Sequence, residues 1–133
     1  MHHAVELSVE ECRARLTAGT VGRVAYAADH GLRIVPVNYT VSGDAVYFRT
    51  SAYGELGTHA PRTEIAFEID ELDHQAHQGW SVLATGTAEV VEDIDDVPGL
   101  RDEANPQPWA AGSRLLYFRL RWRELTGRRV GPG

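Results

Sequence analysis

The chain has 133 residues, a formal net charge of −6 and 13 basic side chains, all of which are arginine. The absence of lysine excludes Schiff-base chemistry on pyridoxal phosphate, a P-loop phosphate cradle and a Ser-Lys hydrolase, because each needs a lysine amine. The acidic balance gives no general attraction to phosphate backbones, so we expect no nucleic-acid partner, and any anionic ligand must be held by a local group of arginines.

The length predicts a single domain, residues 1–133, and the composition of 43% hydrophobic and 24% charged residues is that of a globular protein. No apolar run approaches the roughly 20 residues that span a bilayer, and the first residues lack a basic flank and an apolar stretch. We therefore expect a cytoplasmic protein with no membrane partner. The one cysteine, Cys12, is expected to serve packing.

A capping box begins the first predicted element, because Ser8 and Glu11 can each satisfy a free N–H group in the first turn of a helix. The helix is predicted over residues 9–18, with Val9, Cys12 and Leu16 on its buried face. Gly19 is the expected stop signal.

The hydrophobic period then changes to two, which predicts strands at residues 21–28, 32–41 and 45–50, joined by turn residues into two consecutive hairpins. A short helix is expected within residues 51–60. Strands are predicted at 64–70, at 80–91 with a bend at Gly86, and at 114–122. The stretches 71–79 and 105–112 are expected to be loops, and a weak helical segment precedes the break at Pro98 and Gly99. Six antiparallel strands favour a small closed barrel.

The second predicted strand carries the most informative polar pattern. Pro36 cannot donate to a strand ladder, so this strand is expected at an edge or interrupted there. Exposed backbone N–H and C=O groups at such a place could bind a flat heteroaromatic ligand. Across the following turn, Arg49 is predicted to lie beside this strand, so that Arg33 and Arg49 could converge on one anion. His74 and His77 lack cysteine and carboxylate partners at ligand spacing, so no metal site is expected.

Four segments in order resemble the pyridoxamine 5′-phosphate oxidase-like family of flavin-binding split barrels, and in particular its short single-domain actinobacterial branch. They are Arg33-Ile34-Val35-Pro36-Val37-Asn38-Tyr39, Val46-Tyr47-Phe48-Arg49-Thr50, Gly79-Trp80-Ser81-Val82-Leu83-Ala84-Thr85-Gly86 and Glu124-Leu125-Thr126-Gly127-Arg128-Arg129. The resemblance covers residues 7–129. It implies a mainly β, six-stranded antiparallel split barrel with a few short helices, which forms a homodimer with two FMN sites at the subunit interface.

The resemblance also implies the residues that would hold the cofactor. The strand from Arg33 to Asn38 would line the flavin ring and the phosphate side, and Arg49 with Thr50 would hold the ribityl phosphate. Trp80 and Ser81 would lie at the ring, and Arg128 would close the site. The implied cofactor-binding set is Arg33, Val35, Pro36, Val37, Asn38, Arg49, Thr50, Trp80, Ser81 and Arg128.

One position departs from the family pattern. Where the family places a lysine or arginine on the short helix to neutralise the phosphate, this chain has Glu55. Unit charges about 4 Å apart at an effective dielectric of 20 interact by about 4 kcal/mol, which exceeds a typical hydrogen bond. Three alternatives follow: Arg33 or Arg62 takes over the role, Glu55 points away, or the ligand is not FMN.

The resulting functional hypothesis is an FMN-dependent oxidoreductase that transfers hydride through flavin N5 to a small-molecule substrate other than pyridoxamine phosphate. No residue is an evident proton donor. The alternatives are a reductase that uses the deazaflavin F420 and, because of Glu55, a non-catalytic protein of the same fold that stores, senses or has lost its cofactor. A haem-handling variant is more distant, because neither His59 nor His74 can be assigned as an axial ligand.

Overall fold

The computed structural model describes residues 2–51, 54–93, 96–97 and 115–132. The predicted loop at 105–112 and the break at Pro98 and Gly99 lie outside these residues. Within them, no helix is long and apolar enough to cross a membrane.

Helix α1 spans Val9–Ala18, as the capping box predicts. The N–H group of Glu11 donates to the Ser8 Oγ atom at 3.1 Å, and the Ser8 N–H group donates to Glu11 Oε1 at 3.3 Å. Cys12 and Leu16 are buried, whereas Val9 is 59% exposed, so its predicted place on the buried face is wrong. Val9 is the first residue of the helix.

The described residues contain eight strands and a second short helix. The strands are β1 (His2–Glu6), β2 (Val21–Ala28), β3 (Gly31–Ser42), β4 (Ala45–Ser51), β5 (Glu64–Asp73), β6 (Gln78–Val90), β7 (Leu115–Arg121) and β8 (Glu124–Pro132), and helix α2 is Glu55–His59. Two of these strands, β1 and β8, were not predicted. The loop expected at 71–79 is also shorter, because β5 runs on to Asp73 and β6 begins at Gln78, where the two strands are still paired.

Six strands form a ring in which every neighbouring pair is antiparallel. Its order is β6, β5, β2, β3, β4 and β7, and β7 returns to pair with β6. Strand β8 adds to β6 outside the ring, and β1 adds to β8. This arrangement confirms the mainly β, antiparallel fold class, with the two further strands as an extension.

Gly86 lies where β6 changes its second partner from β8 to β7. Residues 79–85 of β6 pair with β8, and Ala88 to Val90 pair with β7. A Cβ atom at Gly86 would lie 2.3 Å from the carbonyl oxygen of Arg121. The strand therefore bends at a residue that allows this close backbone approach, where the sequence predicts the bend.

The core fills the ring and continues beneath α1. Phe67, Phe118 and Leu120 are fully buried, and burying a side chain of this size contributes about 1.5–3 kcal/mol. The Tyr39 hydroxyl donates to the Leu16 carbonyl oxygen at 2.6 Å, which ties α1 to β3. Burial raises the pKa of Tyr39 to about 12.

Candidate functional site

Strands β3 and β4 are paired at one end and separate at the other. Residues Tyr39 to Ser42 of β3 pair with β4, whereas residues 31–38 pair with β2 on the other side. Beyond Phe48, strand β4 continues to pair with β7 through Arg49 to Ser51. Helix α2 follows at this point, and the ring is open between β3 and β4.

The separation leaves one backbone edge of β3 open. In a two-residue hairpin, the flanking residues Ser42 and Ala45 direct their N–H and C=O groups toward each other, and the direction alternates along the strand. The same alternation directs the backbone N–H and C=O groups of Asn38 and Ile34 toward the opening. The groups of Tyr39 face the β2 side, where its N–H donates to the Thr20 carbonyl. Pro36 is also a residue whose backbone groups face the opening, so the N–H group that proline lacks would not have formed a hydrogen bond within the sheet.

A cleft of about 600 Å³ lies at this opening. We call it the split cleft, and its lining residues are Tyr26, Val35, Pro36, Val37, Asn38, Arg49, Thr50, Gly54, Glu55 and Leu56. Six residues of the implied cofactor set therefore meet in one place, namely Val35, Pro36, Val37, Asn38, Arg49 and Thr50. The sequence did not point to Tyr26, Gly54 or Leu56. The sequence pattern indicates only that Tyr26 is an inward-facing residue of a strand and that Leu56 is a core residue of a short helix.

The charged groups of the split cleft are arranged around Glu55. Its Oε1 atom accepts a hydrogen bond of 2.8 Å from the Tyr26 hydroxyl and lies 3.4 Å from Arg33 Nε. Burial raises the pKa of Tyr26, and the hydrogen bond to Glu55 adds to the effect. Arg33 therefore pairs with the Glu55 carboxylate, and unlike Arg49 it is not among the residues that line the cleft.

Arg49 has a different environment. It lines the split cleft, is exposed, and has no ion pair or side-chain hydrogen bond with the described residues. Arg62, the other arginine considered for the phosphate, is not among the lining residues; its N–H donates to the Ala88 carbonyl. The cleft thus presents one guanidinium without an acid partner beside a carboxylate that has two partners.

The remaining implied residues lie elsewhere. Trp80, Ser81 and Arg128 line a second cleft of about 400 Å³ at the turn end of the β5–β6 hairpin, which we call the hairpin-end cleft. Ser81 is in register with Arg128 of β8, and the Trp80 ring lies 4.7 Å from the Arg15 guanidinium carbon. Strand β6 is three strands away from β3 around the ring, and neither Ser81 nor Arg128 is among the residues that line the split cleft.

Among the described residues, no group of three or more potential metal-ligating side chains occurs. His59 Nε2 lies 3.9 Å from Asp29 Oδ2. His74 lines the hairpin-end cleft.

A six-stranded antiparallel ring that opens between two strands, with a polar cleft at the opening, defines a split β-barrel. The family model described as pyridoxamine 5′-phosphate oxidase matches residues 8–129, and the chain belongs to this family. An uncharacterized protein of Mycobacterium tuberculosis is 31% identical over 131 residues, which cover 95% of this chain and 85% of that protein.

Two solved structures share the whole fold. An FAD-binding protein from Mesorhizobium loti has a TM-score of 0.76 and 25% identity, with 99% of this chain and all (100%) of that chain covered. The FAD-binding protein from Mycobacterium smegmatis has a TM-score of 0.73 and 28% identity, with 96% and 98% covered.

Proposed function

We propose that the split cleft binds a flavin nucleotide and that the protein is a flavin-dependent oxidoreductase acting on a small molecule. The observation that carries the proposal is the meeting of an open β3 edge with Arg49 and Thr50 in one cleft. The family match and the two FAD-binding proteins of the same fold support it.

The residues present suit such a ligand. A guanidinium is a planar fork of donors that matches phosphate oxygens, and Arg49 has no acid partner among the described residues. The open edge offers N–H and C=O groups at Asn38, which can pair with the donors and acceptors of a heteroaromatic ring. When bound, a flavin supplies hydride transfer; the protein orients it and excludes water.

The same proposal includes a homodimer with each cofactor site completed by the partner. Leu32 and Ile34 of β3 are 79% and 68% exposed, and adjacent exposed apolar side chains of this size favour a covered surface. Within one chain Ser81 and Arg128 line a different cleft from Arg49 and Thr50, whereas a second copy could bring them to its occupant. Light scattering should give twice the chain mass, and Ile34→Arg should give the mass of one chain.

We also propose that the whole chain acts as one flavin-binding domain in the cytoplasm, where thiols stay reduced. Cys12 is free and buried, and burial raises its pKa. It therefore suits a reducing compartment, in which it needs no disulfide partner.

The non-catalytic alternative depended on an unbalanced carboxylate beside a phosphate. Glu55 instead has Arg33 and Tyr26 as partners, so this observation does not favour loss of the cofactor.

Titration with flavins tests the proposal. Fluorescence of FMN and FAD should be quenched with saturation at or below tens of micromolar protein, and reduction of the bound flavin should be followed by its absorbance. If neither flavin is quenched while F420 is, the deazaflavin alternative replaces the flavin proposal. If none of the three binds, the assignment of this cleft as a flavin site is wrong.

A further inference from the structure

We propose that the outer face of strands β4, β7 and β6 binds a small oxyanion, that is, a phosphate or carboxylate group. This inference goes beyond the proposed function, because it concerns a surface next to the split cleft. We call this surface the tyrosine–arginine face, and its residues are Tyr47 and Arg49 of β4, Tyr117, Arg119 and Arg121 of β7, and Glu89 of β6. Residues that alternate with them, such as Phe48 and Phe118, are buried, so the face points away from the core.

Strand pairing brings the side chains of the tyrosine–arginine face together. Arg49 is in register with Tyr117, and Arg119 is in register with Tyr47 on one side and with Glu89 on the other. Residues in register on one face of an antiparallel pair have Cβ atoms about 4.5–5.5 Å apart. The six side chains therefore form one patch, and Arg49, which also lines the split cleft, connects the patch to that cleft.

Positive charge exceeds negative charge on this face. Two arginines share the Glu89 carboxylate, whose Oε2 atom lies 3.2 Å from Arg119 Nη2 and whose Oε1 atom lies 3.7 Å from Arg121 Nε. Arg49 has no acid partner among the described residues. Three guanidinium groups therefore accompany one carboxylate, in a chain whose formal net charge is −6. A local excess of arginine attracts an anion even when the whole protein is acidic.

Two polar atoms of the same face are buried and have no hydrogen-bond partner among the described residues, namely the Tyr117 hydroxyl and Arg119 Nε. The two side chains lie on one side of β7, because they are two residues apart. The guanidinium Nε is a donor only, and a tyrosine hydroxyl can also donate. Since a buried donor without an acceptor costs free energy, a group that accepts from both is favoured here.

An oxyanion meets both requirements. Phosphate and carboxylate groups carry several acceptor oxygens together with negative charge, and the planar fork of arginine matches their geometry. The ligand can approach from solvent, because Arg49 is exposed and the Arg121 side chain is 65% exposed. A neutral acceptor would satisfy the two donors but would leave the excess charge unbalanced.

Tyr117→Phe is the sharpest test, because it removes the hydroxyl oxygen and nothing else. Inorganic phosphate is titrated into wild type and variant while amide NMR chemical shifts are recorded, with sodium chloride of equal ionic strength as the reference for screening. We expect saturable shifts at amides of β4, β7 and β6. The phosphate affinity of the variant should be about tenfold lower, as expected for the loss of one hydrogen bond to a charged group.

The stability of the free variant supplies a second readout. Urea unfolding without phosphate should show Tyr117→Phe to be at least as stable as wild type, because the hydroxyl has no hydrogen bond to lose. Tyr39→Phe is the contrast, since its hydroxyl donates to the Leu16 carbonyl oxygen at 2.6 Å and its removal should destabilise the fold.

Arg121→Gln and Arg123→Gln form a matched pair for the charge. Their side chains are 65% and 63% exposed, and each pairs with a glutamate, Glu89 and Glu64 respectively. Arg121→Gln should lower phosphate affinity about threefold, whereas Arg123→Gln, which lies outside the face, should leave it unchanged. Riboflavin affinity should equal that of wild type in these variants and in Tyr117→Phe, because none of the three residues lines the split cleft.

Several results would overturn the oxyanion site: no saturable phosphate binding beyond the chloride reference, equal phosphate affinity in wild type and Tyr117→Phe, a Tyr117→Phe variant less stable than wild type, or equal losses in Arg121→Gln and Arg123→Gln. Phosphate binding that is lost in Arg49→Ala but kept in Tyr117→Phe and Arg121→Gln would place the anion in the split cleft and would also overturn it. The riboflavin titration measures flavin binding separately, so failure of one proposal is distinguished from failure of the other.

Discussion

Arg23 and Arg49 lie on strands of the same ring, yet their surroundings differ. Arg23 Nη2, on the outer face of β2, lies 2.8 Å from Glu68 Oε1 and 2.5 Å from Asp70 Oδ2 on β5. Arg49 lies in the split cleft without an acid partner among the described residues. An arginine paired with two carboxylates stabilises a sheet face, whereas an arginine without an acid partner at an open strand edge can bind an anionic ligand.

Arg49→Ala should have the largest effect on ligand binding. Hydrogen bonds to charged groups contribute about 1.5–3 kcal/mol, so FMN and FAD affinity should fall about tenfold to a hundredfold. Riboflavin affinity should fall much less. Quenching titrations give these values, and urea unfolding should show unchanged stability; an unchanged FMN affinity would remove Arg49 from the site.

Arg23→Ala should lower the stability of the fold and leave flavin affinity nearly unchanged, which is the opposite of the effect expected for Arg49→Ala. Removing the guanidinium leaves Glu68 and Asp70 as neighbouring like charges, and we expect a loss of about 1 kcal/mol in the free energy of unfolding because Arg23 is 45% exposed. Flavin affinity per folded site should stay within about twofold of wild type. A fall in flavin affinity as large as that of Arg49→Ala would contradict the comparison.

Asp70→Asn tests the Arg23 cluster through its pH dependence. A hydrogen bond from Arg23 lowers the pKa of Asp70, so its ionised form stabilises the fold above its ordinary pKa of about 3.9. This contribution is lost as the pH falls through the lowered pKa. The free energy of unfolding of the wild type should therefore exceed that of the variant by less than about 1 kcal/mol at neutral pH, and this difference should disappear in acid.

Urea unfolding at several pH values measures the Asp70 effect, and an Arg23→Gln background supplies the control. Without the guanidinium, Asp70 faces Glu68 as a like charge, so Asp70→Asn should no longer lower the stability at neutral pH and should raise it slightly instead. The same dependence in both backgrounds would mean that Arg23 is not its cause.

Arg33→Gln should have the smallest effect. Glu55 would lose its guanidinium partner, and the carboxylate would repel a phosphate more strongly, so FMN affinity should fall about twofold to threefold. In a Glu55→Gln background the same change should have no effect, which calorimetric titration can measure. A larger loss than that of Arg49→Ala would assign the phosphate to Arg33 instead.

The elements that the sequence predicts well are those with local signals. The Ser8–Glu11 capping box places α1 to the residue, and the alternation of apolar residues places β2 to β7 within a few residues. Strands β1 and β8 were missed because β8 contains Gly127, Arg128 and Arg129 with no apolar alternation. They become strands by pairing with β6 and with each other, which is a nonlocal effect.

In the candidate site, too, the features with a local signal could be predicted from the sequence and the long-range contacts could not. The residues of the β3 edge and the Arg49-Thr50 pair could be proposed from Pro36 and the family resemblance, and they do share a cleft. The partners of their charges could not be proposed, because Tyr26 and Arg33 meet Glu55 across 29 and 22 positions of the chain. Likewise, Trp80, Ser81 and Arg128 belong to the β6–β8 strand pair and line another cleft, and no local pattern of the sequence shows this.

A crystal structure of the protein with FAD or FMN bound tests the central claim most directly. The account predicts flavin electron density in the split cleft, with phosphate oxygens within hydrogen-bonding distance of Arg49 and the ring against the open edge at Asn38. Flavin bound in the hairpin-end cleft of the same chain, or with its phosphate away from Arg49, would contradict it.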